Sequence, residues 1–83
     1  MGKHDKTLTA VLRGASDANI GFDDLRGLLL HLGFDERIRG SHHVYRREGI
    51  EDKVNIQRAG NKAKPYQVKQ VREVIFKHRL ARD

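Results

Sequence analysis

The sequence predicts an α+β domain: a three-stranded antiparallel sheet packed on one face by two helices, with a short extra helix in front. Three observations carry this. Apolar residues recur at three- and four-residue spacing over 22–32 and again over 65–80, as amphipathic helices require. Between these segments the period falls to two, in Val54-Asn55-Ile56-Gln57, as in a half-buried strand. Gly40-Ser41 is a compact turn signal between two further candidate strands. Two helices covering one sheet face bury both apolar stripes most simply, and the other face is left for solvent or a ligand.

Taken in order, residues 3–14 carry Leu8, Val11 and Leu12 at helical spacing and end at Gly14. Ser16-Asp17-Ala18-Asn19 reads as a turn. The helix over 22–32 presents Phe22, Leu25, Leu28, Leu29 and Leu32 on one stripe, and Asp23 and Asp24 suit the positive end of its dipole. Gly33 suits the left-handed position after its end. Strands are expected over 34–39 and 42–47, with a second turn around Glu48-Gly49 leading to the third strand at 54–57. A Gly- and Lys-rich loop over 58–64 leads to Pro65, a residue tolerated at a first helical position. Val68, Val71, Val74, Ile75 and Leu80 then mark a closing helix, with Lys69, Arg72, Lys77 and Arg79 on its other face. The expected organisation is a single domain over 1–83, with an N-terminal extension over 1–20 and a core over 22–80.

Composition narrows the function classes. A chain of 83 residues has room for one thin core and lacks cysteine, so no disulfide or thiolate metal site supports it. Its longest apolar run, Leu28-Leu29-Leu30, is far short of the ~20 residues a membrane span needs, and a cytoplasmic location is expected. Lys and Arg number 17 against 11 acidic residues, a net charge of +6 and a pI near 10.1. Such a surplus on so small a body favours polyanions, of which nucleic acid is the commonest.

The chemistry-bearing residues gather around the first turn. His42 and His43 are neighbours, so on a regular strand they point to opposite faces. If Tyr45 packs toward the helices, His43 joins it and His42 points outward with Val44 and Arg46; the apolar Val44 allows the opposite phase. An outward histidine among arginines suits RNA cleavage. The RNA 2′-hydroxyl is its own nucleophile, and an imidazole can take or give the proton near neutral pH. Arg37, Arg39, Arg46 and Arg47 are candidate phosphate clamps, and no metal is needed for this route. Ser41 lacks the glycine-flanked elbow of a serine nucleophile and instead shapes the turn or bonds a phosphate. The histidines show no His-x3-His spacing, so no metal or other cofactor is expected. Lys62 and Lys64, beside the start of the last helix, suit a phosphate or simply a solvated loop. Tyr66 stacks on a base or packs.

The helix end Leu32-Gly33-Phe34, followed by Arg39-Gly40-Ser41-His42-His43-Val44-Tyr45, a strand, a lysine-containing loop with Pro65 and a closing helix, resembles the HicA toxins over residues 22–80. The resemblance implies a fold like the double-stranded-RNA-binding domain and cleavage of mRNA. It also implies growth arrest and a HicB-type antitoxin partner that covers the active face. It places the catalytic role on His42 and leaves His43 without one, as a support residue; the residues' own chemistry adds Arg37, Arg39, Ser41, Arg46, Lys62 and Lys64 as candidate RNA contacts and Gly40 as the turn residue. The chain departs from compact members in its longer segment up to Asn19. It departs again in Gln57–Pro65, where many members carry a proline–histidine-rich stretch. Two other readings fit the same residues: a non-catalytic RNA-binding module of this fold, and a structural or DNA-bound subunit active only with its partner.

Overall fold

The computed structural model describes residues 2–80. Helix α1 spans Lys3–Arg13 and α2 spans Phe22–His31, with a single 3-10 turn at Asp17–Asn19 between them. Strands β1 (Asp35–Arg39), β2 (His42–Arg46) and β3 (Val54–Ile56) follow. A hairpin of β4 (Arg58–Ala59) and β5 (Lys62–Ala63) leads to helix α3 (Pro65–Lys77). The main sheet is antiparallel in the order β1-β2-β3, the expected meander. This is the α+β, double-stranded-RNA-binding-domain-like architecture.

One core holds the layers together. Leu25, Leu28 and Leu29 of α2, Val68, Val71 and Ile75 of α3, and Tyr45, Val54 and Ile56 of the sheet are all buried in it. Each such apolar side chain contributes about 1.5–3 kcal/mol when fully buried. Val11 of α1 is buried in the same core, so the N-terminal helix closes over the helix pair. Arg72 pins it there: its Nη1 donates to Asp17 Oδ1 at 2.9 Å and to the Val11 carbonyl at 3.2 Å. Periodicity alone puts Arg72 on the solvent face of the last helix; the acceptors that turn it inward come from far along the chain. Gly14, in the left-handed region at φ 68°, lies against this guanidinium; a Cβ there would sit 3.0 Å from Nη1.

Two further findings concern the ends of elements, one a departure from expectation and one a choice the sequence leaves open. The segment over 58–64, read as a loop, forms the β4–β5 hairpin. Its Asn61 carbonyl accepts the Phe22 N–H at 3.0 Å, one of the donors a helix start leaves unpaired, and Ala63 N–H donates to the Ile20 carbonyl at 2.9 Å. Tyr66 does not pack and is 64% exposed, so it is open to solvent at the start of α3.

Between α2 and the sheet runs a polar clasp. Arg26 donates through Nη2 to Glu36 Oε1 at 2.9 Å and through Nε to Oε2, and the fully buried Tyr45 donates its hydroxyl to the same carboxylate. The Arg26 hydrogen bonds hold the Glu36 carboxyl down to about 2. Burial first, and the Glu36 hydrogen bond second, push the Tyr45 phenol up. A carboxylate held this low contributes stability above its unfolded value of 4.5 and loses it as pH falls from there toward 2. With screening at the half-exposed Arg26, that contribution is on the order of 2 kcal/mol. Glu36→Gln therefore lowers the urea-unfolding free energy by about that amount at pH 7, and the gap to the native protein closes between about pH 5 and pH 2. A gap that stays constant with pH would mean that the carboxylate charge does not hold the clasp.

Candidate nucleic-acid interface

The site is built on the β1–β2 hairpin. Arg39 pairs with His42 across the Gly40-Ser41 turn, and Gly40 takes the left-handed φ of 58° in open space. Its requirement is thus conformational, since glycine carries no penalty there. Ser41 is exposed beside His42.

The phase of β2 decides which histidine is available. Tyr45 is fully buried, and His43 packs its ring edge-to-face on Phe22 of α2 with centroids 4.8 Å apart. Strand alternation then sends His42, Val44 and Arg46 to the opposite, open face. Of the two phases that the sequence allows, the structure takes the one with His42 outward. His43 supports the core, although its Nδ1 is buried without a hydrogen-bond partner among the described residues.

Register assembles the rest of that face. Arg39 stands opposite His42, Arg37 opposite Val44, and Asp35 opposite Arg46, while Asn55 of β3 stands opposite Val44 on the other side. The face forms an open groove of about 620 Å³ whose lining includes the cations Arg37, Arg39, Arg46 and Lys53 together with the carboxylates of Asp35 and Glu36. None of these four cations makes an ion pair among the described residues. Of the two acids there, Glu36 is occupied with Arg26 on the inner side, and Asp35, opposite Arg46, makes no ion pair among the described residues. Unpaired cations on one face raise the local concentration of polyanions.

The predicted contact residues divide. Arg37, Arg39 and Arg46 share the face with His42. Lys64 reaches its edge: it precedes α3, and its Nζ donates to Gln57 Oε1 at 3.4 Å. Gln57 follows Ile56, the partner of His43, and so stands at the register position next to His42. Lys62 belongs to the separate hairpin, bridged to Gly21 at the start of α2. Sequence reasoning passed over Lys53 and Asn55. Asn55 was legible, because Val54 and Ile56 flank it with buried side chains and alternation turns it outward. Arg58 is basic but engaged, lying 4.4 Å over the Phe22 ring and bonded to Asp23 at 3.1 Å. Among the described residues, no group of three or more His, Cys, Asp or Glu side chains is placed to hold a metal ion.

The opposite placement of the two histidines has a measurable consequence. His42→Ala leaves folding stability within about 0.5 kcal/mol of the native protein, whereas His43→Ala costs about 1–3 kcal/mol through the space it leaves beside Phe22. Urea unfolding of both variants checks this, and equal losses would contradict the assigned phase.

A family model described as the HicA toxin of bacterial toxin-antitoxin systems matches residues 22–78, from the start of α2 to the residue after α3. No curated protein and no solved structure matches the chain.

Proposed function

The chain belongs to the HicA toxin family, the toxins of toxin–antitoxin systems, and from that premise we propose that it is an endoribonuclease that cuts mRNA with His42 as its proton-transferring group. The single observation that carries this reading is the placement of His42 on the open sheet face, directly opposite Arg39, one of the cations that line the groove.

The chemistry follows from RNA itself. Arg39 and Arg37 hold the phosphate, and their charge offsets the negative charge that builds on its oxygens in the transition state. His42 removes the 2′-hydroxyl proton. The O2′–P bond forms as the P–O5′ bond breaks, leaving a 2′,3′-cyclic phosphate and a free 5′-hydroxyl. In-line displacement puts attacking and leaving oxygens on opposite sides of phosphorus, so a lone imidazole serves the attacking side and water protonates the leaving oxygen. General base help of this kind is typically worth ~10²–10⁴-fold. That is modest, and it suffices to disable transcripts and arrest growth in the cytoplasm. A HicB-type antitoxin holds the enzyme inactive by covering the basic face.

The test uses the purified toxin without its antitoxin and a synthetic transcript. His42→Ala lowers cleavage by at least about 10²-fold while RNA affinity stays within about twofold. Equal cleavage by both proteins would overturn the assignment, and salt-dependent binding with no cleavage by either would identify a non-catalytic RNA-binding module.

The groove makes its own prediction. Removing Arg46 and Lys53 together leaves turnover of the bound RNA near its native value and weakens binding. The slope of log affinity against log salt then flattens by about 0.7 for each phosphate that is no longer neutralised. An unchanged slope would place the RNA elsewhere.

A further inference from the structure

We propose that Asn55 is a positioning residue for His42, holding Nδ1 of the imidazole so that Nε2 is the nitrogen presented to the RNA. This rests on reading His42 as the proton-transferring group. Asn55 lies on the same open face, diagonal to His42 across the β2–β3 pairing, and its Nδ2 is 3.4 Å from His42 Nδ1. The other groups near the imidazole are the cations Arg39, opposite it on β1, and Arg37 and Arg46 farther along the face, and the amide of Gln57, whose Oε1 already accepts from Lys64 and Gln67. None of these cations can accept a proton from the ring. Asn55 is the one side chain hydrogen-bonded to the ring among the described residues, and an amide offers both a donor end and an acceptor end.

That two-ended character matters for a base that changes protonation state. With Nδ2 toward Nδ1, the ring is the neutral tautomer with its proton on Nε2. With the amide turned over, Oδ1 accepts from Nδ1–H, and Nε2 carries the free lone pair that a general base needs. The same setting suits the imidazolium formed once the 2′-hydroxyl proton has been taken. The local surroundings do not lock the amide, because Asn55 Oδ1 is buried with no hydrogen-bond partner among the described residues. Turning the amide over leaves one of its ends unpaired in either setting. The two ends are nearly identical in shape, so the side chain can follow the proton without moving its neighbours.

Protein labelled with ¹⁵N in its histidines, studied by NMR across pH and paired with cleavage assays on the same samples, tests this. In the native protein His42 Nδ1 resonates as a hydrogen-bonded nitrogen, and in Asn55→Ala both ring nitrogens move to free-imidazole values. The same variant loses about 10-fold in kcat with KM within about twofold. Asn55→Asp, whose carboxylate can only accept, moves the acid limb of the pH–rate profile and the His42 titration up together by about one unit. His42 resonances that are free in the native protein, or the same in all three proteins, overturn the proposal whatever happens to kcat. The native spectrum alone decides this if a variant fails to fold. Resonances that respond as described in proteins that never cut RNA uphold the Asn55 contact and remove the nuclease reading instead.

Discussion

The Tyr45 ring is fully buried beneath the helices, and its hydroxyl is tied to Glu36, which Arg26 holds from α2. A strand anchored in this way cannot slip by one residue, because a slip would drive Tyr45 into water and the neighbouring cations toward the core. That constraint sets the phase of β2, and the phase sets the site. Once Tyr45 and His43 face inward, His42, Val44 and Arg46 face outward, and antiparallel pairing brings Arg39 and Arg37 alongside them. The outward histidine and its arginines are thus a consequence of a core residue three positions away.

The two sides of the sheet handle charge differently. On the inner side Arg26 is matched by Glu36, and Arg72 by Asp17 and a carbonyl of α1. Burial makes such matching necessary, since an unpaired charge away from water is costly. On the outer side Arg37, Arg39, Arg46 and Lys53 make no ion pair among the described residues, which is tolerable because they are exposed to water. Their mutual repulsion costs some stability and is relieved when a polyanion releases its counterions on binding. The N-terminal helix, outside the span of the family match, serves the inner side by adding Val11 to the core.

Much of this was legible in the residues. The stripes of α2 and α3, the Gly40-Ser41 turn and the alternation around Asn55 depend on local spacing, and the structure follows them. What sequence left open depends on partners distant in the chain. The choice between Tyr45 and Val44 for the core rests on whether a buried phenol can find an acceptor, and Glu36 supplies it. Arg72 turns inward for acceptors at Asp17 and Val11, and the β4–β5 hairpin forms where the segment can cap the first turn of α2. Lys53 shows no periodicity of its own and joins the groove only through the sheet's register. The hydrogen bond between Asn55 and His42 likewise spans two strands and is invisible to spacing along either one.

Whether RNA lies on the open sheet face is decided by titration with an RNA that cannot be cut. A short oligonucleotide carrying 2′-methoxy groups, added to ¹⁵N-labelled toxin at low salt, should shift the backbone amides of Arg37, Arg39, His42, Val44 and Asn55. The exposed flanks of α2 and α3 should stay unmoved. Shifts confined to the helices or to the β4–β5 hairpin, with the sheet face silent, would contradict this placement of the RNA.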